Sequence, residues 1–152
     1  MIRFDLSEIP TDATITRATL YLYTRDARSG VVTSIYRVTS AWSETTATWD
    51  SPWNTVGGDF NNSVAYVSYT PNIENCMITL DVTDLVSLWV DGTYENYGIL
   101  LHSTGVNYAF RYVSKEEDTN LQNRPRLNIT YTTKNEKSST SLRDWLGKIT
   151  KP

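Results

Sequence analysis

The chain has 152 residues and a formal net charge of −3, with 39% hydrophobic residues, ten Tyr and five Trp; this length suits one domain, and this composition favours an all-β protein. It has no run near the roughly 18 apolar residues of a membrane span, no recognisable signal peptide, and one cysteine, Cys76, which excludes an internal disulfide. Residues 133–152 carry five basic against two acidic side chains, which leaves −6 on the rest and argues against broad nucleic-acid binding.

Period-two alternation of apolar and polar residues predicts strands along most of the chain up to residue 132. The alternation is clearest in residues 14–24, where Leu20 and Leu22 share one face and Tyr21 and Tyr23 share the other. The predicted strands span residues 2–6, 14–24, 32–38, 64–70, 76–82, 98–103, 108–114 and 126–132. Regular pleating of the strand at 76–82 would place Cys76 on its apolar face, as a buried thiol.

Residues 40–60 interrupt this pattern with an aromatic segment that also contains Pro and Gly, which is typical of a long loop. Long loops in compact domains often carry function. Trp42, Trp49 and Trp89 are expected to be core residues, whereas Trp53, between Pro and Gly residues, is expected to be the ligand-contacting tryptophan of this loop.

One short helix is predicted at about residues 82–91. Asp81 can cap its first turn, and Gly92 can end it in a left-handed conformation. A lone amphipathic helix among strands must bury its apolar stripe against a sheet or across the end of a sandwich. The stripe consists of Val82, Leu85, Val86 and Trp89.

Beyond residue 132 the composition becomes polar, which predicts a β-sandwich domain at 1–132 followed by a linker and a short amphipathic tail at 133–152. Residues 141–149 place several apolar side chains on one side of a short helix. This segment could pack back on the sandwich. Alternatively, it could dock an adjacent domain or an identical subunit.

The order of the motifs resembles DNRLRE domains, a group that includes disaggregatase-related repeats and family 96 carbohydrate-binding modules. The resemblance covers residues 1 to about 131. The motifs that carry it are Arg3-Phe4-Asp5-Leu6-Ser7-Glu8-Ile9-Pro10, Ala18-Thr19-Leu20-Tyr21-Leu22-Tyr23, Tyr36-Arg37-Val38-Thr39-Ser40-Ala41-Trp42-Ser43-Glu44, Thr48-Trp49, Asp81-Val82-Thr83-Asp84-Leu85-Val86, Gly98-Ile99-Leu100-Leu101, Ser114-Lys115-Glu116 and Arg124-Pro125-Arg126-Leu127.

This resemblance implies an all-β sandwich of jelly-roll type on secreted or surface proteins. It also implies a non-catalytic module joined to polysaccharide-degrading enzymes, with some members binding acidic polysaccharide such as alginate. The first strand or strands that such domains carry before the Arg-Phe-Asp-Leu motif are missing here. A sheet edge left open in this way invites a strand from another chain. The chain is therefore expected to be a fragment or a subunit completed by a partner.

Recognition of a sugar requires flat aromatic rings, and an acidic sugar adds a need for Arg or Lys, because Arg can hold a carboxylate through two hydrogen bonds. Strand tyrosines such as Tyr21 and Tyr23 could serve as platforms, and Arg124 could join a basic groove. The alternatives are salt bridges within the acidic body and aromatic packing across a sheet. The predicted carbohydrate-binding residues are Arg37, Trp53, Arg111, Tyr112, Lys115 and Arg126. Arg3 is expected instead to pair with Glu116.

Catalysis is not expected, because His102 is the only histidine and no nucleophile motif accompanies it. No cofactor is predicted, although loop carboxylates could hold a structural calcium ion. The candidates for that ion are Asp59, Glu116, Glu117 and Asp118. Two glycosylation sequons begin at Asn61 and Asn128.

The sequence thus predicts an extracellular or cell-surface module that binds polysaccharide, which could be acidic and contain uronates, without catalysing a reaction. The alternative is a structural subunit of a surface layer, fibre or pilus, completed by strand donation from a neighbour. In that case the open edge and the tail at 141–149 would join identical subunits.

Overall fold

The computed structural model describes residues 1–27, 30–104 and 110–133, and in these ranges the alternating segments form two three-stranded antiparallel sheets. The first sheet has the order β4-β1-β6, and the second has the order β3-β2-β5. One helix, α1, spans Thr83–Val90, and a short 3-10 helix spans Leu121–Asn123. The strands are β1 (Thr14–Thr24), β2 (Thr33–Arg37), β3 (Val67–Tyr69), β4 (Cys76–Asp81), β5 (Ile99–Ser103) and β6 (Arg126–Thr132).

The core lies between the two sheets because each sheet turns one apolar face inwards. Leu20 of β1 pairs with Leu80 of β4 on one side and with Leu127 of β6 on the other, and all three are buried. Ile35 contributes from β2 to the same cluster. The predicted all-β sandwich with one short helix is confirmed. Cys76 shares the inner face of β4, as predicted, but it is only half-buried at the end of the strand.

The helix α1 closes the sandwich through the predicted apolar stripe, from which Leu85 and Val86 are fully buried. Its start differs from the prediction, because Val82 and not Asp81 is the N-cap. The Asp81 carboxylate instead accepts hydrogen bonds from the backbone N–H and the hydroxyl of Thr83, two residues further along. The N–H of Val82 donates to the carbonyl of Ala18 at 2.9 Å, so pairing with β1 fixes where the helix begins.

The predicted strand at 2–6 is wrong, and the one at 108–114 lies partly outside the described ranges. The first is reduced to a single bridge between Ile2 and Ile99. The chain then turns, because the carboxylate of Asp5 accepts the backbone N–H of Ser7 and so competes with strand pairing. In the second, the part that the structure describes holds one bridge, between Tyr112 and Thr24.

The long loop that follows β2 is fastened to the outer face of the second sheet. Phe60 forms a bridge with Val38, and its ring lies 5.3 Å from that of Tyr36 and 6.1 Å from that of His102. Tyr36 faces outwards because it alternates along β2 with Ile35, which is buried in the core. His102, on the neighbouring strand β5, faces outwards on the same side. The loop therefore covers part of the second sheet, while the outer face of the first sheet is formed by strand side chains.

The proposed boundary near residue 132 and the tail at 141–149 remain predictions, because residues 134–152 lie outside the described ranges. Among the helices in those ranges, none has the length and apolar character needed to cross a membrane. Asn128 points away from the buried Leu127 and Ile129, so its sequon lies on the outer face of the first sheet.

Candidate functional site

The outer face of the first sheet brings aromatic rings and guanidinium groups together. Tyr21 and Tyr23 alternate with buried Leu residues along β1, and both are half-buried on the side away from the core. Arg126 of β6 stands directly opposite Tyr21 in the register. We call the surface formed by Tyr21, Tyr23, Arg25, Arg111 and Arg126 the tyrosine face.

Arg126 is the cation of this face with donors left to use. Its guanidinium carbon lies 5.2 Å from the centroid of the Tyr21 ring, within the range of a cation–π contact. Across the described residues, it forms no ion pair with a carboxylate, and its Nε atom is buried without a hydrogen-bond partner. Because the buried Nε atom cannot be reached from solvent, only the terminal Nη groups of Arg126 could meet a ligand at this face.

Arg111 joins the tyrosine face because its segment pairs with the end of β1, beyond the point where β6 stops pairing with that strand. The N–H of Arg25 donates to the carbonyl of Arg111 at 2.8 Å, and the N–H of Val113 donates to the carbonyl of Tyr23 at 2.9 Å. Arg111 donates two hydrogen bonds, of 2.6 and 2.9 Å, to the Asp26 carboxylate. These bonds raise the pKa of Arg111. Its side chain is still 74% exposed.

Glu117 organises the cations at the edge of the tyrosine face. Its carboxylate accepts a hydrogen bond of 2.8 Å from Arg25, and its backbone carbonyl accepts one of 2.6 Å from Arg124. The N–H groups of Thr119 and Asn120 also donate to this carboxylate and lower its pKa. Arg25 and Arg124 are therefore both bonded to Glu117, Arg25 through the carboxylate and Arg124 through the backbone carbonyl.

Tyr112, another predicted binding residue, points between the sheets. Its hydroxyl lies 2.8 Å from the hydroxyl of Tyr69 and 3.5 Å from that of Thr33. Burial raises the pKa of Tyr69, and the bond to Tyr112 raises it further. The Tyr112 hydroxyl thus serves a hydrogen-bond network inside the sandwich, and its ring is no part of the tyrosine face.

Lys115 lies apart from Arg111, in a cleft of about 360 Å³ that Tyr112 also lines. Its ammonium group contacts Glu44 and lies 3.8 Å from Glu116. The expected pair of Arg3 with Glu116 is wrong. Among the ion pairs of the described ranges, none joins them, and Arg3 lies over the Trp42 ring of the same cleft at 5.6 Å.

Arg37 lies on the second sheet and is separated from the other predicted cations. Its guanidinium carbon sits 3.8 Å from the centroid of the Tyr94 ring, and its Nε atom is buried without a partner in the described part of the chain. Arg37 therefore contacts a tyrosine ring in the same way as Arg126 does. Arg37 itself belongs to the second sheet, whereas Arg126 belongs to the first.

Two of the three tryptophans of the loop, Trp49 and Trp53, have exchanged their expected places. Trp53 is only 8% exposed, and its indole N–H donates to the carbonyl of Thr48 at 2.9 Å. Trp49, which was expected in the core, is 71% exposed. Trp42 and Trp89 are half-buried. The Pro and Gly residues near Trp53 predict a loop, but they do not indicate which ring of that loop turns inwards.

Asp59 holds the loop in its shape. Its carboxylate accepts the backbone N–H groups of Asn54 at 3.0 Å and Thr55 at 2.9 Å, together with the hydroxyl of Ser40 at 2.8 Å. These bonds, that of Asn54 first, lower the pKa of Asp59. In the described ranges, no group of three or more His, Cys, Asp or Glu side chains could hold a metal ion. The calcium ion remains a prediction.

Acidification is expected to release the turn at residues 54–59. Because the folded loop holds the Asp59 carboxylate in its charged form, the unfolded chain binds the proton more readily. The stabilisation is complete above the ordinary Asp pKa of about 4 and is lost as the pH falls through the lower folded pKa. Amide NMR signals of Asn54 and Thr55 should shift together at acidic pH. In Asp59→Asn they should be shifted already at neutral pH, and amides insensitive to both changes would contradict the prediction.

The fold is that of a β-sandwich with aromatic and cationic side chains displayed together on the outer face of one sheet. The model of carbohydrate-binding module family 96 matches residues 1–131, and the chain belongs to this family. The resemblance seen in the motifs is confirmed. Comparisons with curated proteins and with solved structures found no match.

Proposed function

We propose that the chain is a non-catalytic, extracellular module that binds an acidic polysaccharide through the tyrosine face. The observation that carries this proposal is the pair formed by Tyr21 and Arg126. A tyrosine ring offers a surface for the apolar face of a pyranose, and a guanidinium without a carboxylate partner can receive a uronate carboxylate. Arg111 and Arg25, each paired with a carboxylate, lie along the same face.

The environment of His102 supports a binding role without catalysis. This side chain is exposed on the second sheet, where its ring lies 6.1 Å from both Tyr36 and Phe60. An acid–base histidine needs a nucleophile or an orienting carboxylate within hydrogen-bond reach. The observed neighbours are aromatic rings, which fasten the loop to the sheet.

Affinity electrophoresis in gels cast with alginate, pectin, chitosan or neutral glucans tests the proposal, with the mass of the protein in solution recorded alongside. We expect a monomer that is retarded by alginate or pectin. Retardation should weaken as salt is added, because the contacts include exposed charges. Equal retardation by neutral glucans would contradict the uronate preference, and no retardation by any polymer would contradict the proposed function.

Replacement of Arg126 by glutamine is expected to weaken binding to the retarding uronan about tenfold, the loss of one charge-assisted hydrogen bond of roughly 1.5 kcal/mol. The matched control is Arg37→Gln, because Arg37 of β2 makes the same kind of contact with Tyr94, in the connection between α1 and β5. Far-UV circular dichroism should show both variants folded. If R37Q weakens binding and R126Q does not, the binding face is on the second sheet and the proposed site is wrong.

A further inference from the structure

We infer that Trp49 forms a second sugar contact, separate from the tyrosine face, in which its indole ring stacks on a pyranose ring of the bound polysaccharide. This inference rests on the proposed function, since it takes the ligand to be a glycan. The Trp49 contact differs from the tyrosine face in place, because it lies on the loop after β2, and in chemistry, because it uses an uncharged ring. It would therefore act on neutral and acidic sugar residues alike.

The first observation is that the Trp49 ring touches the Gly57 backbone while most of its surface is exposed to solvent. A Cβ atom added to Gly57 would stand 3.0 Å from the indole Cη2 atom and 3.1 Å from Cζ2, so the ring lies directly against the Gly57 backbone. The side chain is nevertheless 71% exposed, and the neighbouring Val56 is 60% exposed. A tryptophan that leaves so much apolar surface in water forgoes most of the stabilisation that burial would bring.

The second observation is that the backbone beneath this ring is fixed from several directions. The carbonyl of Trp49 accepts the N–H of Gly57, and the N–H of Thr48 donates to the carbonyl of Ser51, both at 2.8 Å. The Trp53 indole holds the Thr48 carbonyl from the buried side. The ring is therefore presented on a rigid base, and a preorganised ring loses less conformational entropy when a ligand arrives.

The surroundings of Trp49 favour a sugar over a protein partner. Asp50, Ser51, Asn54 and Thr55 are all exposed in the same turn, and they supply hydroxyl, amide and carboxylate groups next to a single flat ring. A pyranose has this combination of one apolar face and a rim of hydroxyl groups. A protein interface instead buries a larger and more continuous apolar core.

The two contacts should act together on a long polymer. The loop is fastened to the second sheet through Phe60, whereas the tyrosine face belongs to the first sheet. A polysaccharide that engages one contact raises the effective concentration of sugar at the other. An oligosaccharide too short to reach from one contact to the other gains none of this avidity.

The test compares Trp49→Ala with Ile73→Ala, a control that removes an equally isolated apolar side chain, 60% exposed, from the turn between β3 and β4. Binding of the full chain to sodium alginate and to polygalacturonate is measured by affinity electrophoresis. Oxidation of Trp49 by N-bromosuccinimide is mapped by mass spectrometry with and without each polymer. We expect W49A to weaken binding about three- to tenfold, I73A to leave it unchanged, and the polymer to protect Trp49 from oxidation.

The outcomes separate this inference from the proposed function. If the wild-type chain binds and R126Q weakens binding, while W49A binds normally and Trp49 oxidises equally with polymer present, the Trp49 contact is wrong and the tyrosine face stands. If W49A weakens binding and R126Q does not, the inference holds and the tyrosine face is wrong. If the wild-type chain binds neither polymer, and neither protects Trp49, both are overturned.

Discussion

Replacement of Gly98 by alanine is expected to destabilise the domain by about 2–5 kcal/mol, the combined cost of a left-handed non-glycine residue and an overpacked interior. Gly98 has a φ of +87°, and a Cβ atom built on it would stand 2.3 Å from the carbonyl oxygen of Ile2. That carbonyl accepts the N–H of Ile99 at 2.8 Å. The methyl group would therefore push the first residues of the chain off the edge of β5.

The matched control for this prediction is Gly92→Ala. Gly92 also has a positive φ, of +77°, but an added Cβ atom would meet nothing within 4 Å. This variant should lose only the conformational term of about 1 kcal/mol. Urea unfolding followed by tryptophan fluorescence gives both free energies. Equal losses in the two variants would show that the contact between Gly98 and Ile2 yields without cost, and the prediction would be wrong.

The strands that alternation predicted best are those whose two faces meet different surroundings. In β1 one face enters the core and the other forms the tyrosine face, so the predicted bounds 14–24 are those observed. Residues 2–6 also alternate, but there the Asp5 carboxylate bonds the N–H of Ser7 and turns the chain. A local hydrogen bond of this kind outweighs a pattern that sheet partners do not reinforce.

The candidate site could be predicted only in part, because its geometry depends on pairing between distant segments. The alternation in β1 correctly separates Tyr21 and Tyr23 from the core. Two further features depend on contacts between residues far apart in sequence. One is the strand register that sets Arg126 opposite Tyr21, and the other is the backbone hydrogen bond that brings Arg111 to Arg25. Lys115 and Arg111 are only four residues apart, but the pairing with β1 reaches only as far as Val113, and each cation meets a different carboxylate.

The exchange of the two loop tryptophans leads to a prediction about stability. Replacement of Trp53 by alanine is expected to cost about 3–5 kcal/mol of unfolding free energy, since it empties a buried site of large volume. It would also leave the Thr48 carbonyl without the indole N–H that it accepts at 2.9 Å. Trp49→Ala is expected to cost less than about 1 kcal/mol, because an exposed ring gives up little packing when it is removed.

Measurements on W53A and W49A together distinguish two roles for the loop, binding a ligand or only covering the sheet. Urea unfolding should rank W53A far below W49A in stability, while polymer binding should fall in W49A although its fold is intact. A W49A variant that is as unstable as W53A would mean that the exposed ring packs on the sandwich in solution. The loop would then use both tryptophans for its own structure, and Trp49 would have no free face to offer a sugar.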